Sequence, residues 1–267
     1  MKVIPMELTA RYAFATETCK LAGELALRYF RESDSLKIDQ KGAQDWVSEA
    51  DRNVEHLIRE QIAASFPEDG IVGEEHGRAD GTSGLVWVID PIDGTANFVN
   101  GIPTWCVVLA GVAEGKTQIA VIHDPVHDET FTALRGNGAM LNGAPMSVAS
   151  GKGFDQGTTA VGFSGGDDID NIARLVKSVL TSGGMMIRNA SGAISLAYVA
   201  AGRYIAFVEE HMNAWDCLAG QLLIEEAGGF VEDQNADQMI EKGGRVLAGT
   251  SDTFDVIKTL AAKAWQS

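Results

Sequence analysis

Cysteine, proline and positive charge are all scarce in this chain. Only 3 of its 267 residues are cysteine. Cys19, Cys106 and Cys217 lie far apart with no C-x-x-C pair, so neither a zinc site nor a disulfide framework is expected. They read as buried, reduced thiols. Proline contributes 6 residues. No repeat, linker or low-complexity tract appears, which excludes fibrous and collagen-like classes. Lysine and arginine number 21 against 37 aspartates and glutamates, a formal net charge of −16. That balance argues against nucleic acid or an anionic membrane as partner, since both require basic patches. No apolar run reaches ~18 residues, so no transmembrane helix is expected. The stretch MKVIPMELTARYAF carries Glu7 and lacks an apolar signal core, which points to the cytoplasm.

What is present is an ordinary globular composition, 45% hydrophobic and 22% charged. A chain of this length buries roughly 70–75% of its unfolded surface and needs no covalent staple. Helical spacing of Leu8, Tyr12, Cys19, Leu21, Leu25, Ala26 and Tyr29 predicts a helix from Met6 to about Phe30. Ser48-Glu-Ala-Asp51 has the capping pattern S-x-x-[DE] and predicts a helix over 48–65, before Pro67. Ile71–Gly73 and Leu85–Ile89 read as buried strands, with a loop at 76–84 between them. Short β-like runs at 105–113, 117–122 and 130–134, separated by turn residues, predict an antiparallel meander. Further on, strands are expected at 158–163, 204–208 and 246–248, and helices at 169–182, 192–201, 214–227 and 253–264. The order suggests two α/β lobes with a seam near residues 140–155.

Three acidic clusters sit at ends of elements, where loops place functional groups. They are Gly73-Glu74-Glu75, Asp90-Pro91-Ile92-Asp93-Gly94-Thr95 and Asn213-Ala214-Trp215-Asp216. In the second, a buried strand ends at Asp90, Pro91 enforces a bend, and Gly94 permits a tight turn into a helix starting at Thr95 or Ala96. Outward N–H groups there offer an anion site. A phosphate beside Asp90 and Asp93 is tolerated only if protons or cations intervene, and Mg²⁺ commonly bridges carboxylates to phosphate. A bound metal would then carry the positive charge that the composition lacks.

Together these motifs resemble the inositol monophosphatase family of Mg²⁺-dependent, Li⁺-sensitive phosphatases. The carrying residues are Gly73-Glu74-Glu75, then Trp87-Val-Ile-Asp90-Pro-Ile-Asp93-Gly-Thr95-Ala-Asn97-Phe98. Trp215-Asp216-Cys-Leu-Ala219-Gly220, running on to Glu226-Ala-Gly228-Gly229, completes them. The resemblance spans about residues 8–262. It implies an α/β (α+β) fold, the layered αβαβα sandwich of that superfamily, in one domain over 1–267. The two lobes would be a metal-binding one at roughly 1–145 and a second at 146–267.

The resemblance also implies a site. Glu74, Asp90 and the Ile92 carbonyl look like ligands of a first Mg²⁺. Asp90, Asp93 and Asp216 look like ligands of a second, and a third would lean on Glu74 through water. Thr95 and Asp51 look like the pair that orients the attacking water, with Glu74 beside them. Gly94 and Thr95 amides would hold the phosphate. Glu209 matches a contact to substrate hydroxyls, and Ser191, Gly192 and Ala193 fall on the segment lining the pocket. Lys41, Asp45 and Glu75 match supporting positions. Relatives often read G-[ST]-A where this chain has Arg188-Asn-Ala-Ser191-Gly192-Ala193, which implies a one-residue slip. Homodimers are common in the family.

Two metals about 3.5–4 Å apart can activate water and stabilise a leaving oxygen without a covalent intermediate. The three-residue spacing of Asp90 and Asp93 disfavours the D-x-D aspartyl-phosphate mechanism of haloacid-dehalogenase-type phosphatases. The substrate expected is inositol monophosphate or a similar small sugar or polyol phosphate. Histidinol phosphate, 3′-phosphoadenosine 5′-phosphate, fructose 1,6-bisphosphate and NADP remain alternatives on the same machinery. A non-catalytic metal-binding regulator is a third reading. His123-Asp-Pro-Val-His127 and the Gly136–Gly143 stretch read as turns, not as metal or phosphate sites. Trp87, Trp105 and Trp215 read as packing residues.

Overall fold

The computed structural model describes residues 6–32, 38–42, 45–164 and 166–265. Its elements run α1 (Met6–Arg31), β1 (Ile38–Gly42), β2 (Asp45–Ser48), α2 (Glu49–Ser65), β3 (Gly70–Gly73), β4 (Gly77–Ala79), β5 (Leu85–Asp93) and α3 (Thr95–Val99). The meander follows as β6 (Cys106–Ala113), β7 (Lys116–Asp124), β8 (Glu129–Leu134), β9 (Ala139–Leu141) and β10 (Ala144–Met146). The remainder is β11 (Thr158–Val161), α4 (Ile169–Thr181), β12 (Met185–Ile187), α5 (Gly192–Ala200), β13 (Ala206–Met212) and α6 (Ala214–Glu226). It closes with β14 (Phe230–Val231), α7 (Ala236–Lys242), β15 (Gly244–Gly249) and α8 (Phe254–Ala264).

The strands form an eight-stranded sheet, ordered β10-β9-β8-β7-β6-β5-β3-β4, and a five-stranded sheet, ordered β12-β11-β13-β15-β14. β1 and β2 make a separate hairpin. In the large sheet β3 and β5 are parallel and the other pairs antiparallel. Its central strands are apolar on both faces. Trp87, Ile89, Val107 and Leu109 pack under α1 and α2. Val88, Cys106, Val108 and Ala110 face the other way, onto α5 and α6. A third core lies between the small sheet and the pair α4 and α8. The order of layers is therefore α, β, α, β, α, the sandwich expected.

The middle layer follows from composition. α5 and α6 are buried on nearly every face, as a helix between two sheets must be. They approach closely because position 220 is glycine: a Cβ there would lie 2.4 Å from the Leu196 Cβ. α1 is pinned by Arg11, whose guanidinium donates two bonds of 2.8 Å to buried Asp69. Asp69 also accepts from Ser83 Oγ and Trp87 Nε1.

Several short elements depart from the sequence reading. The 76–84 loop contains β4, and the Gly136–Gly143 stretch contains β9 and the turn into β10. Asn142 and Gly143 both have positive φ there, the geometry of a type I′ hairpin turn. The expected 204–208 strand runs instead from Ala206 to Met212. Among the described residues no helix is long and apolar enough to cross a membrane.

Candidate active site

β5 carries the first two acids. In a regular strand, residues three apart point to opposite faces. The pairing with β6 skips here, from Asp90↔Val108 to Asp93↔Cys106. Pro91 and Ile92 together oppose Val107 alone, so the bulge turns both carboxylates to one side. Gly94 follows at φ 93°. A Cβ on it would lie 3.0 Å from the Thr104 carbonyl oxygen, so glycine alone fits both the conformation and the space. Asp216 arrives from the middle layer on the first turn of α6, its carboxylate accepting from the Asn213 N–H at 3.2 Å. Asp90, Asp93 and Asp216 each present an oxygen, all within 4.8 Å of one another. Glu74, on the turn after β3, faces Asp90, whose carboxyl its charge raises.

The electrostatics follow from burial of like charges. Burial, then the charges of Asp216, Glu75 and Asp51, holds the Glu74 carboxyl well above its usual range. Burial, then Glu74, Asp93 and Asp216, does the same to Asp90. Asp216 is pushed up to about 7 by burial and by Asp93. Burial also raises Asp93, opposed by donors from Ser191, Ala193, Gly192 and Cys106. Among the described residues no lysine, arginine or histidine forms an ion pair with Asp90, Asp93 or Asp216. Buried carboxylates without a cationic partner take up protons or a metal. An all-oxygen set of this kind suits a hard divalent cation.

Asp51 and Thr95 flank the cluster. Thr95 Oγ1 lies 3.3 Å from Asp51 Oδ1 and 3.0 Å from the Ile92 carbonyl oxygen. Its single proton serves one acceptor at a time. The Ile92 N–H in turn donates to Asp90 Oδ1 at 2.9 Å. The other Asp51 oxygen accepts from the Ser48 N–H and hydroxyl, at 2.8 and 2.6 Å, in a capping box. Burial pushes Asp51 up to about 6 against those bonds.

The remaining expected residues divide. Ser191 and Ala193 are buried and spend their donors on Asp93 Oδ2, Ala193 N–H at 2.9 Å and Ser191 through its hydroxyl. The N-terminus of α5 thus aims at a carboxylate within the cluster. Glu209 is buried over Gly162, where a Cβ would meet its Oε2 at 1.9 Å. Burial, then Asp216, Asp167 and Asp93, holds it well above the usual range. Lys41 falls in β1 and Asp45 in β2, but their side chains lie outside the described residues. Glu75 bears on both Glu74 and Asp51 through its charge.

Ala190 has φ 60°, the left-handed conformation glycine adopts freely. His123 and His127 do not converge on a metal: His123 Nδ1 meets Thr130 Oγ1 at 3.0 Å, and His127 Nδ1 meets Asp124 Oδ2 at 2.8 Å. Trp87 and Trp105 are fully buried.

Sequence reading missed three participants. Glu55 accepts from the Glu75 and His76 N–H groups. Cys106 Sγ lies 3.7 Å from Asp93 Oδ2. Asn97 Nδ2 donates to the Thr104 and Asn189 carbonyls at 2.7 and 2.8 Å, tying α3 to the segment before α5. Two left a signal: Glu55 through the i,i+4 pair it makes with Asp51, and Asn97 through its place in the Asp90–Phe98 motif.

A layered sandwich that gathers acids from β5 and the first turn of α6 is the architecture of a class of metal-dependent phosphatases. The chain belongs to the inositol monophosphatase family, whose profile matches residues 7–267. It is 36% identical over 252 residues to the Nus factor SuhB of Pseudomonas aeruginosa, covering 92% of this chain and 93% of that one. Among solved structures it resembles the extragenic suppressor protein suhB of Bartonella henselae, with TM-score 0.88, 31% identity and 97% and 99% coverage. It also resembles the Thermotoga maritima IMPase, with TM-score 0.85, 28% identity and 96% and 98% coverage.

Proposed function

We propose that this chain is a Mg²⁺-dependent phosphomonoesterase. It hydrolyses inositol monophosphate or a similar small sugar or polyol phosphate by attack of water. The observation that carries the reading is the convergence of Asp90, Asp93 and Asp216 within 4.8 Å, with the Thr95–Asp51 pair alongside. Glu74, Asp90, the Ile92 carbonyl, Asp93 and Asp216 would hold Mg²⁺, which supplies Lewis-acid stabilisation and a water acidified to near neutrality.

The chain's own groups do the rest. Asp51 accepts a proton through Thr95, which orients the attacking water. The amides of Gly94 and Thr95 receive phosphate oxygens at a strand-to-helix turn. Ser191, Gly192 and Ala193 act through Asp93, holding its carboxylate in place. Glu209 accepts from substrate hydroxyls, and its position beside Asp93 and Asp216 disfavours a second phosphate there. The reading includes two lobes, roughly 1–145 and 146–267, a homodimer, sensitivity to Li⁺ and a cytoplasmic location.

Phosphate release from inositol 1-phosphate, histidinol phosphate, 3′-phosphoadenosine 5′-phosphate, fructose 1,6-bisphosphate and NADP tests it. Each ester is run with Mg²⁺, with Mg²⁺ plus Li⁺, and with chelator. Mg²⁺-dependent, Li⁺-inhibited release ranked toward inositol 1-phosphate is expected. Relatives named Nus factor SuhB favour one second reading, a regulatory protein that keeps the metal site. Silence on every ester by folded, metal-binding protein would select it.

A further inference from the structure

α2 carries Asp51, Glu55 and Arg59 at i, i+4 and i+8, one stripe of a single helix face. Asp51 turns to Thr95. Glu55 is fully buried and has no part in the chemistry proposed above. Both of its oxygens are committed to a turn twenty residues on: Oε2 accepts from the Glu75 N–H at 2.7 Å, and Oε1 from the His76 N–H at 3.2 Å. Arg59 Nε donates to Oε1 at 2.7 Å, and the same guanidinium donates to the Gly77 carbonyl. The carboxylate reaches this cradle by passing over bare backbone, since a Cβ on Gly73 would lie 2.1 Å from Oε1. On the other side of the turn, the Glu74 N–H donates to the Ile89 carbonyl of β5 at 3.2 Å. Glu74 is thus clamped between α2 and the strand that carries Asp90.

We propose that Glu55 is a positioning residue: by fixing the Gly73–His76 turn it holds the Glu74 carboxyl against Asp90. The inference rests on the reading of Glu74 as a metal ligand. Burying an anion is costly unless it is paired and hydrogen-bonded, and this one is paired by Arg59 and bonded by successive amides. Removing such a partner of a ligand typically costs ten- to hundredfold in metal affinity. A role confined to stability would lower the melting temperature and leave metal affinity alone.

The test compares Mn²⁺ binding, read from the EPR signal of free Mn²⁺, in the wild type, Glu55→Gln and Asp69→Asn. Melting temperatures and the Mg²⁺ dependence of phosphate release are measured on the same samples. Glu55→Gln keeps the shape but sets an amide N–H₂ against backbone N–H groups. It should weaken Mn²⁺ binding about tenfold or more and raise the half-saturating Mg²⁺ concentration to match. Asp69→Asn, remote from the turn, should melt earlier with unchanged Mn²⁺ affinity. Wild-type affinity in folded Glu55→Gln would overturn the proposal. If that variant does not fold, Gly73→Ala, which pushes Glu55 off the turn, must show the same loss of Mn²⁺ affinity, and unchanged binding overturns the proposal again. Mn²⁺ binding is read directly, so a wild type that binds but releases no phosphate refutes the phosphatase reading alone. A wild type that binds no Mn²⁺ overturns both.

Discussion

Asp93 collects donors from Ser191, Gly192, Ala193 and Cys106, all oriented for a charged acceptor. Asp93→Asn keeps the shape and removes the charge. Phosphate release should fall about a hundredfold or more, with far-UV circular dichroism unchanged and the melting temperature within a few degrees. A wild-type rate would refute the assignment of Asp93 as a ligand. A second residue-scale prediction concerns Ala190, held at φ 60°. The left-handed conformation costs an L-residue roughly 1–2 kcal/mol, whereas glycine pays roughly 0.5–1 kcal/mol in unfolded-state entropy. Ala190→Gly should stabilise by about 0.5–1 kcal/mol, seen as a higher urea midpoint at unchanged slope. A lower midpoint would mean that the Ala190 methyl contributes packing worth more than the strain.

At the level of elements, the long periodic ones were legible and the two- and three-residue ones were not. α2 announced itself through its Ser48–Asp51 capping box, and β5 through its apolar run ending in acids. β4, β9, β10, β12 and β14 are too short to show a period, and their pairing is imposed by the strands beside them. β13 outruns its apolar stretch because Glu209-Glu210-His211 stays in extended backbone through a register break against β15. The bulge between Asp90 and Asp93 was half-legible: Pro91 and Gly94 marked a bend, but which way each carboxylate turned depended on β6. The contact between α5 and α6 carries a third prediction. Gly220→Ala would place a methyl 2.4 Å from Leu196 Cβ. Separating the helices should cost about 1–3 kcal/mol in denaturant unfolding and weaken Mn²⁺ binding, because Asp216 rides on α6. A loss of stability with intact Mn²⁺ affinity would show that the tip of α6 is positioned independently of its middle.

For the whole molecule, the buried acids tie stability to pH. Asp51, at about 6, and Asp216, at about 7, sit above the ordinary carboxylate value of 3.8. Between those values the folded chain holds protons that the unfolded chain has released, so stability falls as pH rises from about 4 to about 7. Asp69, lowered by Arg11, Ser83 and Trp87 against its burial, works in the opposite sense and only in acid. The chelated protein should therefore melt lower at pH 8 than at pH 5. Added Mg²⁺ should raise the melting temperature more at pH 8, where Asp216 no longer holds a proton against it. Equal Mg²⁺ shifts at both pH values would contradict this. The middle layer also gives the site a place in time. During synthesis a chain emerges N-terminus first, and every strand of the large sheet is in hand by residue 146. Asp216 is made seventy residues later, so its charge joins those of Glu74, Asp90 and Asp93 only when α6 docks on the sheet.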